Sequence, residues 1–350
     1  MNYEQFTPTI NGQTKNIFLV DMSKELDYHF SQLTQQWIHK YLKQNKRILI
    51  IWNKKWYNSG IICHDCGHIP QCHNCSVSIN YHKDIHGDSF GLCHICKTQY
   101  QLPTSCKKCH KTNIKAYGMG IQQIAQRCKQ EYNKDAYIID SNTVNSPNKI
   151  KKVQDNIQTQ QIIIGTSILT APLQSRKPDL IIILAADHGL HIPDYTATEN
   201  NFYHIHDTIH HHQTSNFIVQ TFNPEEPSIR FACADKKDAF EQNNNEFKKA
   251  HRYPPFGEIV VISYKNEIES RLHNKVDTVY KELLYLQQKY QTENMEIYTT
   301  PPLVYKMFGK YRYNIVIKGM AIRWFIDIVY SKLKLAQKWF KLDRQAAGIL

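Results

Sequence analysis

Five short runs of nearly unbroken aliphatic residues punctuate the chain: "RILIIW" (47–52), "AYIID" (136–140), "QIIIG" (161–165), "LIIILAAD" (180–187) and "NFIVQTF" (216–222). Strands that are apolar on both faces suit a parallel sheet covered by helices on either side. Between them, "ELDYHFSQLTQQWIHKYL" (25–42), "GIQQIAQRCKQEY" (120–132) and "NKIKKVQDNIQT" (148–159) repeat apolar residues at helical spacing. Alternating β and α units predict one α/β domain. Beyond "FNPEEPSIR" the pattern changes: "EIVVISYK" (258–265), "MEIYTT" (295–300) and "YRYNIVIKG" (311–319) read as strands. A long amphipathic helix to about Lys289 and a closing helix over "AIRWFIDIVYSKLKLAQKWF" (321–340) complete a small α+β domain, entered by the rigid turn "RYPPFG" (252–257). The predicted division is 1–60 with 113–235, an insertion over 61–112, and 236–350.

The insertion is too poor in aliphatic residues to build a core of its own, and it holds eight of the ten cysteines. Their spacing is C-x2-C-x5-C-x2-C-x17-C-x2-C-x9-C-x2-C, from Cys63 to Cys109. A C-x-x-C knuckle turns two thiolates to one side, which is half of a tetrahedral site. Four knuckles therefore predict two closed four-thiolate zinc sites, with iron–sulfur clusters the rival. A catalytic zinc keeps one position open for water, so this pattern is structural. Pairing neighbouring knuckles across five residues is tight. A nested arrangement closes more easily, with Cys72, Cys75, Cys93 and Cys96 inside and Cys63, Cys66, Cys106 and Cys109 outside; interleaved pairing stays open. His64, His68, His73, His82, His86, His94 and His110 are assigned no ligand role, because thiolates fill both sites. Cys128 and Cys233 stand apart and read as small buried residues.

Composition adds partners and compartment. Of 350 residues, 41% are hydrophobic and 21% charged, as in ordinary globular proteins. No apolar run approaches the roughly 18 residues that span a bilayer, so no membrane partner is expected. "MNYEQFTPTI" has no basic-then-apolar leader and reads as cytoplasmic, where clustered cysteines argue for metal rather than disulfides. The formal charge of +12 favours a polyanion such as nucleic acid.

The segment "IICHDCGHIPQCHNCSVSINYH…LCHICKTQYQLPTSCKKCH" resembles the zinc-binding insertion of the primosomal protein N′ (PriA) family, bacterial replication-restart DNA helicases. "LVDMSKE" (19–25), "RILIIWNKKWYNSG" (47–60) and "AADHGLHIPDYTATE" (185–199) are similar to stretches of that family's second helicase lobe. "QTFNPEEP", "RYPPFG" and "YKMFGKYRYNIVIKG" (305–319) are similar to the end of that lobe and to the C-terminal domain. The resemblance covers nearly the whole chain but only the C-terminal half of a family member. It implies a RecA-like second lobe carrying a two-zinc insertion, followed by a small α+β domain, with DNA and primosome proteins as partners.

Against the family pattern, the ATP chemistry is eroded. No G-x-x-x-x-G-K-[ST] phosphate loop occurs in these residues. The family's "GTQMxxKGxDF" stands here as "GTSILTAPLQSRK", with Ala171-Pro172 in place of Lys-Gly, and its G-T-E helix start as Gly120-Ile121-Gln122. The arginine motif Q-V-A-G-R-A-G-R falls on "DTIHHHQT", placing His211 and Thr214 at the two arginine positions. Such guanidiniums stabilise charge developing on the γ-phosphate, which neither replacement can do. The run "HIHDTIHHH" (204–212) carries no cysteine or acidic partner pattern and reads as polar surface.

For DNA, Lys54, Lys55, Trp56 and Tyr57 interleave cations with stacking faces, and Lys306, Lys310 and Arg312 lie in the resemblance to the C-terminal domain. Strand alternation puts Arg312 opposite Tyr311 and Tyr313, so the three cannot all reach DNA while packing a core. The expected function is that of a truncated, divergent N′-like protein that binds forked or single-stranded DNA and primosome proteins without autonomous ATP hydrolysis. The alternatives are one half of a split 3′–5′ helicase completed by a separate chain carrying the first lobe, and a zinc-ribbon module that contacts proteins only.

Overall fold

In a computed structural model of the chain, residues 2–343 are described except 28, 53–59, 64, 67, 69, 76–78, 84–88, 94, 95, 97, 118–120, 140–152, 154, 156, 158, 166–176, 192, 193, 293, 303, 321 and 334–339. The chain divides into two compact units, 1–58 with 119–192 and 197–242, and 59–118 with 193–196 and 243–350.

The first unit is built on a seven-stranded sheet in the order Tyr3–Phe6, Asn16–Asp21, Asn216–Thr221, Leu180–Leu184, Ile48–Trp52, Ile162–Gly165, Ala136–Ile139. Six strands run parallel, and Tyr3–Phe6 closes one edge antiparallel. The aliphatic runs follow from what lies above and below. Leu49, Ile51, Ile181, Ile183, Phe217 and Val219 face a core completed by Phe202, Ile205, Ile229 and Phe240 from the helices Ala197–His211, Pro227–Cys233 and Lys237–Ala250. Their alternates Ile48, Ile50, Leu180, Ile182 and Ile218 face a second core with Ile38, Tyr41, Ile124 and Cys128 from Gln32–Lys43 and Ile121–Tyr132. Every residue of Leu180–Leu184 is buried, so truncating Ile182 to Ala should cost about 2–5 kcal/mol.

The helix Gln32–Lys43 is pinned at its start by Ser31, whose hydroxyl accepts the Thr34 backbone N–H at 3.1 Å. Gln220 from the sheet accepts from the Ser31 N–H and the Thr34 hydroxyl and donates to the His29 carbonyl. That side chain thus joins the helix to the strand beneath it.

In the second unit the cysteine-rich residues form a five-stranded antiparallel sheet ordered Ile114–Tyr117, Gly60–Cys63, Asn80–Lys83, Ser89–Leu92, Gln99–Tyr100. Its buried cluster contains Ile61 and Ile79 with three cysteines, in keeping with the poverty of aliphatics read from the sequence. The remaining sheet is antiparallel, ordered Met295–Thr300, Lys310–Gly319, Glu258–Asn266, Phe340–Asp343, with Lys306–Met307 paired to Lys310–Gly319. The helices Glu269–Lys289 and Arg323–Leu333 supply Leu272, Val276, Leu283, Phe325 and Val329 to one face. Among the described residues the closing helix is Arg323–Leu333, and Phe340, which its pattern includes, is not helical. Phe340 enters a strand that pairs with Glu258–Asn266, and the backbone bonds offered by that edge outweigh helical spacing. At the turn 252–257 a Cβ on Gly257 would fall 2.2 Å from the Arg252 carbonyl oxygen, so only glycine fits there.

Candidate metal centre

The eight cysteine sulfurs gather into two sets of four, Cys63, Cys66, Cys106, Cys109 and Cys72, Cys75, Cys93, Cys96, each within 4.8 Å of its fellows. This is the nested arrangement. Three of the knuckles close in the same way, with the cysteine N–H donating to a carbonyl five residues on: Cys63 to His68, Cys93 to Thr98 and Cys106 to Lys111, at 2.8–2.9 Å.

Sulfur separations indicate what the sets can hold. Cys63 and Cys109 are 3.5 Å apart, Cys66 and Cys106 3.6 Å, Cys72 and Cys96 3.6 Å. A disulfide would require about 2.05 Å, and the cysteines are free thiols. A tetrahedral dication bonded to sulfur at about 2.3 Å holds its ligands about 3.8 Å apart. The donor set and the distances therefore fit a metal ion in each centre.

Hydrogen-bond donors lower one thiol in each centre. The Thr98 hydroxyl lies 3.0 Å from Cys96 Sγ and, with the Thr98 backbone N–H, draws that thiol down to about 6 against the opposing effect of burial. The backbone N–H groups of Cys109 and Lys108 bring Cys106 down to about 7. Tyr100 donates its hydroxyl to Cys72 Sγ at 3.0 Å. Each centre thus contains one thiol ready to act as a thiolate near neutral pH, and metal binding displaces the remaining protons. A tetrahedral ion bound by all four thiolates would have no open position, as in a structural site. Cys128 and Cys233 are fully buried, and burial pushes both thiols up to about 12.

The inner centre is tied to the α+β sheet of the same unit. Gly309 at the hairpin turn donates its N–H to the Asn74 carbonyl at 3.0 Å, and the Phe308 N–H reaches the Cys75 sulfur. Gly309 has φ +78, the backbone this reversal needs. On that hairpin Lys306 lies over the Tyr311 ring, Lys310 meets Glu267 at 3.5 Å, and Arg312 reaches the Met307 sulfur. Tyr311 and Tyr313 pack against the core, and Arg312 lies on the opposite face, directly across from the exposed Lys265. Lys54, Lys55, Trp56 and Tyr57 fall outside the described residues.

Both arginine-motif positions are hydrogen-bonded. His211 Nδ1 lies 2.7 Å from the Asp207 carbonyl, while Thr214 is buried and donates to the carbonyl of Pro178. The histidine run departs from its reading as polar surface. His206 and His210 meet Asp235, an acidic partner 25 residues beyond His210 that no local spacing could reveal. Thr98, Tyr100 and Lys265 were also beyond sequence reasoning, because only the register brings them to their partners.

The fold and its centres define the class: an α/β protein with a parallel central sheet and a pair of nested tetracysteine centres. The chain is similar to replication restart protein PriA, and it spans less than half the length of the relatives it matches. The Bacillus subtilis protein is 24% identical over 313 residues, 86% of this chain and 38% of its own length. That of Borreliella burgdorferi is 27% identical over 313 residues, 87% of this chain and 46% of its own. That of Thermotoga maritima is 25% identical over 335 residues, 94% of this chain and 43% of its own. No family model matches. Among the described residues, no helix is long and apolar enough to cross a membrane.

Proposed function

We propose that the chain acts in DNA replication restart, binding forked or single-stranded DNA and primosome proteins, with one zinc ion in each tetracysteine centre. The observation that carries this reading is the similarity to PriA over 84–94% of the chain in several of its relatives. In this reading the parallel-sheet unit is a RecA-like helicase lobe and the α+β sheet is the family's C-terminal domain. Zinc is favoured over iron–sulfur because in each centre two regular knuckles bring four sulfurs within 4.8 Å of one another, close enough to share a single ion.

A DNA surface is supported by the Lys265–Arg312 pair. Like charges directly opposite on neighbouring strands repel, and a phosphate placed between them removes that repulsion. Lys310 lies two residues from Arg312 on the same strand face and extends this pair toward a backbone, whereas Lys306 lies over Tyr311 on the other face. Autonomous ATP hydrolysis is not expected. His211 and Thr214 supply no permanent positive charge, and both are hydrogen-bonded to backbone carbonyls.

Gel-shift titration of a forked DNA at rising salt tests the reading. Affinity should fall steeply with salt, as it does when phosphate contacts release counterions. Absent or salt-independent binding would favour a module that contacts proteins only. ATP hydrolysis stimulated by the fork only when a second, phosphate-loop chain is added would favour the split helicase.

A further inference from the structure

We propose that His206, His210 and Asp235 form a third metal site, separate from the thiolate centres and built for a divalent first-row transition cation. One ligand atom from each of the three lies within 4.8 Å of the other two. Asp235 Oδ1 is 2.7 Å from His210 Nε2 and 3.3 Å from His206 Nε2. A cation about 2.1 Å from each of two ligands holds them about 3.0–3.4 Å apart, so a small adjustment admits the ion.

The sequence builds this geometry with economy. His206 and His210 are four residues apart on the helix Ala197–His211, so they rise from one face with rings stacked 4.0 Å between centroids. His206 is held from behind by Phe202, which stacks on Phe240 at 3.9 Å in the core. Its far nitrogen, Nδ1, lies 3.4 Å from Asp207 Oδ1. A proton held on Nδ1 by that carboxylate leaves the Nε2 lone pair free for a cation, the carboxylate–histidine arrangement that orients metal ligands.

Asp235 has a placement of its own. The helix Pro227–Cys233 ends with Lys236 N–H donating to the Phe231 carbonyl and Asp235 N–H to the Ala232 carbonyl. In that ending the left-handed residue is usually glycine, yet Asp235 occupies it at φ +54. An aspartate in glycine's place puts a carboxylate under both imidazoles. Two imidazoles and one carboxylate select zinc, iron or their neighbours over magnesium and calcium, and three ligands leave open positions. The alternative occupant of this corner is a proton, with Asp235 only accepting hydrogen bonds from the two rings.

The test is equilibrium dialysis of the whole reduced protein against cobalt(II), after its thiolate centres have been filled. We expect a further equivalent whose absorption lacks the sulfur-to-metal charge-transfer band, removable by a mild chelator that leaves the thiolate centres loaded. His210→Asn should weaken that equivalent at least about tenfold. Asp235→Gly should do the same while restoring the favoured residue at the turn, so a folding defect does not confound it. Either no equivalent beyond the thiolate-bound ones, or a further equivalent unaffected by both substitutions, would overturn the site.

Discussion

At Asp27 burial and hydrogen bonding oppose one another. Burial raises its carboxyl, but the Arg127 guanidinium bonds both oxygens, and with the His29 and Phe30 N–H groups it holds the pKa at about 2. Both partners are mostly buried, at 26% and 19% exposure. The folded value lies below the ordinary 3.8, so the stabilisation is complete above that pH and is lost as pH falls through about 2. Asp27→Asn should therefore lower stability by about 2 kcal/mol at pH 7. Denaturant melts at pH 7 and pH 2 would show the deficit shrinking in acid; an equal deficit at both would count against the pair. Arg312 belongs at this scale as well. Arg312→Ala should reduce the salt slope of fork binding by about one and weaken binding alike across sequences. An unchanged slope would remove Arg312 from the DNA surface.

At the scale of elements, the knuckles and the hairpin behave as one device. The Gly309–Asn74 and Phe308–Cys75 contacts make the inner centre a support for the strand pair that carries Lys306 and Lys310. Chelation should unfold residues 61–112, because metal binding supplies their folding energy, and should also loosen 306–311. Hydrogen exchange would show both segments losing protection while the seven-stranded sheet keeps its own. Protection unchanged at 306–311 would mean that the hairpin stands without the metal. How well such elements could be read from sequence depended on how local their causes were. Ile48–Trp52, Ile162–Gly165 and Leu180–Leu184 were legible because burial on both faces favours an unbroken aliphatic run. Asn16–Asp21, with four apolar residues between polar ends, gave a weaker signal and was not read as a strand. The nested cysteines could be anticipated because loop length restricts which knuckles can meet. Asp235 and Lys265 could not, since a helix ending and a strand register bring them to partners distant in sequence.

For the whole molecule, sequence similarity sets the chain beside replication restart protein PriA over less than half of that protein's length, and the proposed function carries no autonomous ATP turnover. The purified chain should hydrolyse no ATP above background with or without forked DNA, measured by phosphate release. DNA-stimulated turnover by this chain alone would contradict that expectation directly. The claim on which the other readings rest is that two metal ions are each held by four thiolates. Titrating the pure, reduced protein with a thiol reagent while following zinc release tests it. Two zinc ions should leave per chain in step with eight thiols; release of fewer than one, or release unlinked to thiol consumption, would contradict the account.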